Sequence, residues 1–214
     1  MIHSANRSRL FELRHDRIAA SRSVELLEQK REVLLHEIAT RTAARDALRR
    51  ELASRYAGAH ERLHTAILDA GRHAIGAAAL AQQLRCSIGS RMTSVMGVSL
   101  RQLTVDVEPF RTIYGTAATT ASMDDAGRAF RDLVTDLVRL AEQEQAVTRL
   151  ATAMRKTTRL LNALDKVILP DIDREIRLIV EELEEEERDE SARSRVMARH
   201  RRSRPVSPSP HSTR

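Results

Sequence analysis

Tryptophan is absent from this 214-residue chain, and aromatic side chains amount to three phenylalanines and two tyrosines. Large globular cores draw much of their burial from aromatic rings, so the composition argues against one. There are only seven glycines and five prolines. That scarcity disfavours β-rich folds with many tight turns and nucleotide folds built on glycine-rich loops. The single cysteine, Cys86, has no internal partner, as expected of a reducing compartment. The start, MIHSANRSRLFELRHDR, lacks the apolar core of a signal peptide. The most apolar stretch, Ala74 to Ala81, is too short and alanine-rich to span a bilayer. A soluble intracellular protein, or a peripheral member of a membrane complex, is expected.

What the chain does have is alanine, leucine, arginine and glutamate in helix-forming proportion, with 42% hydrophobic and 31% charged residues. Its formal net charge of +6 invites a nucleic-acid reading. The position of that charge weakens it. Residues 191–214 hold seven arginines and no acid, and the remainder carries 29 basic against 30 acidic residues. No aromatics interleave the arginines, so base stacking is unsupported and no specific nucleic-acid partner is expected.

Helix breakers mark the organisation. Every glycine lies between Gly58 and Gly127, and the first proline is Pro109. The first flank carries two heptad rows: Leu13, Ala20, Leu27, Leu34, Arg41, Leu48, and Leu10, Arg17, Val24, Arg31, Ile38, Arg45, Leu52. Smaller residues follow at Ala59, Ala66, Ala70, Ala74 and Ala78. The centre changes character. Val98 to Val107 is rich in β-branched residues and bounded by Gly97 and Pro109, which predicts one or two short strands. Ser122 with Asp125 predicts a capping box. From Phe130 a ladder spaced by three and four runs through Leu133, Leu137, Leu140, Glu144, Val147, Ala151, Met154, Thr158, Leu161, Asp165, Ile168, Ile172, Glu175 and Ile179 to Leu183. Pro170 should kink it.

The predicted fold class is all-α: a long antiparallel two-helix coiled coil with a short central irregular or β-hairpin segment and a disordered C-terminal tail. The boundaries are 1–84, 85–121, 122–190 and 191–214. Opposite charge supports the pairing. Residues 1–57 carry 12 basic and 8 acidic groups, whereas residues 123–190 carry 11 and 18. If Ser8 lies near Glu190, paired residue numbers total about 196–198, and Arg31 faces the neighbourhood of Asp165.

Candidate chemistry is sparse. His60-Glu61-Arg62-Leu63-His64 matches the HExxH zinc-protease pattern on a helix. The extended pattern needs Gly and His where Ile67 and Ala70 stand, so coincidence is the better reading. Asp171 and Asp173 read as a solvated helix face rather than an acid–base pair, and Glu181 to Glu190 likewise. Cys86 reads as an inert thiol. Neither GxGxxG nor GxxxxGK occurs, so Tyr114-Gly115 is not a phosphate loop. No catalytic, cofactor-binding or metal residue is expected, and no cofactor.

The segment from Leu140 to Arg188 carries a recognisable pattern: Leu140-Ala141-Glu142, Glu144, Lys156-Thr157, Arg159, Asn162-Ala163-Leu164, Val167, Pro170, Leu183-Glu184-Glu185 and Glu187-Arg188. It resembles the C-terminal helix of the D subunit of the V/A-type (vacuolar and archaeal-type) rotary ATPases. Asp165 stands where that family usually has Glu, and Leu169 where Ile is usual. Leu26-Leu27-Glu28-Gln29-Lys30-Arg31-Glu32 is similar to the family's N-terminal block. Val95-Met96-Gly97-Val98 and Tyr114-Gly115 are similar to its centre, whereas Asn6-Arg7-Ser8 departs from the usual Pro-Thr-Arg start. All three lysines (Lys30, Lys156, Lys166) fall inside these blocks.

The resemblance implies a central rotor shaft, not an enzyme in itself, that transmits torque between an ion-translocating ring and a catalytic hexamer of A and B subunits. Proton or sodium transport would thereby be coupled to ATP synthesis or hydrolysis. The implied partners are the A and B subunits, the F subunit and a connector to the membrane ring. The implied location is peripheral, on the cytoplasmic side, with no membrane span. Lys30, Arg31, Lys156, Arg159, Asn162, Asp165 and Pro170 are the expected partner or torque contacts. The competing reading is a generic cytoplasmic coiled-coil scaffold or adaptor.

Overall fold

The computed structural model describes residues 7–82, 85–112 and 120–202. Helix α1 spans Arg7–Ala81, strands β1 and β2 span Cys86–Val95 and Val98–Val107, and helix α2 spans Ala121–Ala163. A π-helical turn, Leu164–Ile168, leads into helix α3, Leu169–Arg202. Helices that pair antiparallel, with one short hairpin between them in sequence, match the fold class expected from the sequence. The chain forms two compact units. A terminal unit contains Met1–Leu26 and Leu160–Arg214, and a central unit contains Leu27–Arg159.

In the terminal unit the first turns of α1 run antiparallel to α3. Among the described residues its buried apolar side chains are Leu13, Ala20, Leu161 and Ile179. Arg7 pairs with Glu187 at 2.9 Å and Arg17 with Asp173 at 2.6 Å, and both pairs are exposed to solvent. The expected register would give Arg17 a partner near residue 180. The observed one lies about two helical turns away. Pro170 has no amide hydrogen to give to the preceding turn, and its ring crowds the carbonyl four residues back. The π-helical turn just before it widens the helix at that point, and Leu169 N–H bonds to Leu164 O across it.

Helix α3 continues to Arg202, where the sequence reading starts an unstructured tail at Ser191. Residues 191–202 contain no glycine or proline, and Arg193 reaches back to Asp189 one turn earlier. Residues 203–214, Leu84, Asn6 and the Tyr114-Gly115 turn lie outside the described residues.

In the central unit the rest of α1 runs antiparallel to α2. Arg55 bonds Asp136 at 2.8 Å, and Asp69 accepts a hydrogen bond from Ser122 at 2.6 Å. Leu34, Leu100, Ala146 and Leu150 form one core cluster, with Ile38, Val95, Val98, Ala153 and Met154 packed around it. Leu133 and Leu161 are buried as the ladder expects, but between them the buried row on α2 runs through Ala146, Leu150 and Thr157. The sequence ladder places it one residue later, at Val147, Ala151 and Thr158. The shift has a cause: Leu100 of β2 shares this face with Leu34, so α2 buries a broader stripe than a two-helix seam needs. Leu137 and Glu144 of the predicted ladder are exposed.

A second cluster joins Ala66, Ala78, Met123 and Ala126. In an unbroken helix Ala66 and Ala78 would stand about 18 Å apart, too far to meet residues one turn apart on α2. Gly71 resolves this. Its φ of 80° and ψ of 155° break the helix, so the segments before and after it both reach the first turn of α2. Ser122 gives its hydroxyl to Asp69 rather than to the predicted capping box, and Met123 N–H bonds to Thr120 O.

The hairpin is antiparallel from Cys86↔Val107 to Val95↔Val98, closed by the two-residue turn Met96-Gly97. Both turn residues have positive φ, 49° and 78°, the geometry of a type I′ turn that follows strand twist.

Candidate functional site

Helix α2 holds the hairpin by its backbone. Arg149 donates to Ser99 O at 3.0 Å, Glu142 accepts from Leu103 N–H at 2.9 Å, and Arg131 donates to Val107 O at 2.9 Å and to Glu108 O at 2.7 Å. The spacing explains why three side chains suffice. From Ser99 to Val107 a strand rises about 27 Å, and from Arg149 to Arg131 a helix also rises about 27 Å. Strand and helix thus stay in step over the whole length of β2. These outward-facing backbone groups would otherwise be an open sheet edge. Sequence reasoning singled out Glu142 for its place in the family pattern, but not as a hairpin anchor. Its position within a helical ladder carries no sign of a strand alongside.

The predicted contact residues fall in both units. In the central unit Lys30 and Arg31 are half-buried on α1, while Lys156 and Arg159 are exposed on α2. In the terminal unit Asn162 is exposed at the end of α2, Asp165 is exposed within the π-helical turn, and Pro170 is half-buried at the second position of α3. None of Lys30, Arg31, Lys156, Arg159 and Asp165 forms an ion pair with another described residue. Large apolar side chains are also left in water. In the terminal unit Phe11 is 74% exposed and Leu178 65%, with Ile18, Leu160 and Val167 each above half. In the central unit Leu68 is 73% exposed. Exposed apolar side chains of this kind mark candidate contact surfaces.

Of the candidates for chemistry, the two aspartates are already engaged. Asp171 and Asp173 are paired with Arg174 and Arg17. Within the acidic run Glu184 pairs with Arg188 and Glu187 with Arg7. His60 and His64 lie exposed on α1, and Tyr56 sits 6.1 Å from the His60 ring. Among the described residues no three His, Cys, Asp or Glu side chains are grouped to hold a metal. Cys86 is exposed at the start of β1. No described helix is long and apolar enough to cross a membrane.

The chain is similar to known proteins over most of its length. Residues 9–199 match the family described as the D subunit of ATP synthase. A V-type ATP synthase D subunit of Treponema pallidum is 34% identical over 77% of this chain and 78% of its own length. One from a Thermoanaerobacter species is 29% identical over 92% of this chain and 95% of its own. An A-type ATP synthase D subunit of Methanosphaera stadtmanae is 32% identical over 80% and 82%.

Proposed function

The chain belongs to the ATP synthase D-subunit family, and on that premise we propose that it is the central rotor shaft of a V/A-type rotary ATPase. In this reading it is a component of the complex, not its catalytic subunit, and serves ATP synthesis and ion transport. It turns inside the hexamer of A and B subunits, carries the F subunit, and docks through a connector onto the ion-translocating ring at the cytoplasmic face of the membrane.

The observation that best supports this is the surface of the helices. Lys30, Arg31, Lys156, Arg159 and Asp165 have no ion-pair partner among the described residues, and each unit leaves apolar side chains exposed. A shaft needs no active-site residue. It needs stiffness along its length, which antiparallel helix packing supplies. It also needs a surface that differs around its axis, so that each A/B interface meets a different face in turn. The π-helical turn ahead of Pro170 and the break at Gly71 are local departures from helical symmetry that supply such differences.

The test is coupling in the reconstituted complex. Replacing Lys156 and Arg159 together with glutamate should leave the chain folded, since both are exposed, and lower ATP-driven ion transport severalfold relative to ATP hydrolysis. A scaffold or adaptor would give neither co-assembly with A and B subunits nor any change in that ratio.

A further inference from the structure

We propose that β1 is the docking strand for an extended segment of another subunit, added edge to edge to the hairpin. This rests on the reading of the chain as one subunit of an assembly. A two-stranded sheet has two edges, one on each strand. The outer edge of β2 is already in use, because Ser99 O, Leu103 N–H and Val107 O all bond to side chains of α2. Those bonds also show which residues of β2 face away from β1. Through the register, their partners Ser94, Ser90 and Cys86 face away from β2, and by alternation so do Ile88 and Met92.

Five residues of β1 thus carry backbone donors and acceptors on an edge to which no described residue bonds. Nine of the ten residues in β1 are exposed. The usual protections of a free edge are missing. The strand has no proline, no lysine and no bulge in its ten-residue register, and one charge, Arg91. Ile88 and Met92 stand on the same face four residues apart, each 56% exposed.

The occupant's chemistry follows from this layout. An added strand meets a row of alternating N–H and C=O groups with its own backbone, and β1 has no helix side chains bonded to that row among the described residues, as β2 has. Its side chains on one face would be apolar beside Ile88 and Met92. On the opposite face it would carry an acid beside Arg91, which has no ion-pair partner among the described residues. A second copy of this chain would instead bring another Arg91 to the edge, which disfavours self-pairing.

Residue-resolved amide exchange on the full chain, alone and in the purified assembly, tests this. Ile88, Ser90, Met92 and Ser94 should exchange at least about tenfold more slowly in the assembly. Gly89, Arg91 and Thr93, already bonded to β2, should change far less. A Ser90→Pro chain removes one outward N–H without touching the hairpin's own ladder. It should keep protection at Gly89, Arg91 and Thr93 while its affinity for the other subunits falls about tenfold, the loss of about one well-made hydrogen bond. Uniform protection across β1, no protection, or normal affinity of Ser90→Pro would overturn the proposal. So would the alternating pattern appearing in a homodimer of the isolated chain. Failure to recover any partner subunit would instead count against the shaft reading itself, which separates the two failures.

Discussion

Gly71 and Gly76 stand five residues apart in α1, and neither has a neighbour within 4 Å of where a Cβ would sit. They should nevertheless respond oppositely to alanine. Gly71, at φ 80° and ψ 155°, occupies backbone space that is nearly exclusive to glycine. Gly71→Ala should cost about 1–3 kcal/mol. Gly76 has no such conformation, and Gly76→Ala should gain roughly 0.5–1 kcal/mol by lowering the entropy of the unfolded chain. Urea midpoints with unchanged slopes would check both. In the hairpin turn Met96 has a φ of 49°, which asparagine adopts at less cost. Met96→Asn should therefore stabilise the hairpin by several tenths of a kcal/mol, read from amide exchange at Thr93. At Leu34, wholly buried between Leu100 and Leu150, truncation to alanine should cost about 2–5 kcal/mol. Positions such as Leu34 are legible because a heptad row states burial directly. Gly71 is not, because a glycine inside a helical pattern is tolerated as often as it breaks one.

At the scale of elements, the anchoring of β2 to α2 dominates. Glu142→Ala leaves Leu103 N–H without its acceptor, in a half-buried place. Stability should fall by about 1–2 kcal/mol, and the Leu103 amide should exchange faster while Gly89 and Arg91 keep their protection. Ion pairs between the helices matter less. Reversing Asp173 against Arg17 should cost no more than about 1 kcal/mol, because both side chains are about half exposed and the pair is screened by solvent. This contrast explains what the sequence reveals of the elements. In α1 both heptad rows fall on buried or half-buried positions, except Arg17, which is exposed and reaches Asp173. In α2 the same arithmetic misplaces the row by one residue at Ala146 and Leu150, since periodicity reports an apolar stripe but not the strand that widens it. The register from charge is off by one to two turns, since long arginine side chains pair over several positions. The candidate contacts Lys156 and Arg159 were legible only through the family pattern, because both are exposed and no described residue forms an ion pair with them.

For the whole molecule, the family assignment and the surface point the same way. The described residues bury few large side chains, expose many apolar ones and leave conspicuous charges without partners. A chain made this way is completed by its neighbours, so its function should be read in the assembly. The most direct measurement is affinity purification of the tagged chain from its native cells, with partners identified by mass spectrometry and ATPase activity measured on the eluate. Recovery of the A and B catalytic subunits together with the F subunit, in a complex that hydrolyses ATP, is the expected result. Recovery of unrelated proteins or nucleic acid without those subunits, and without ATPase activity, would contradict the shaft assignment.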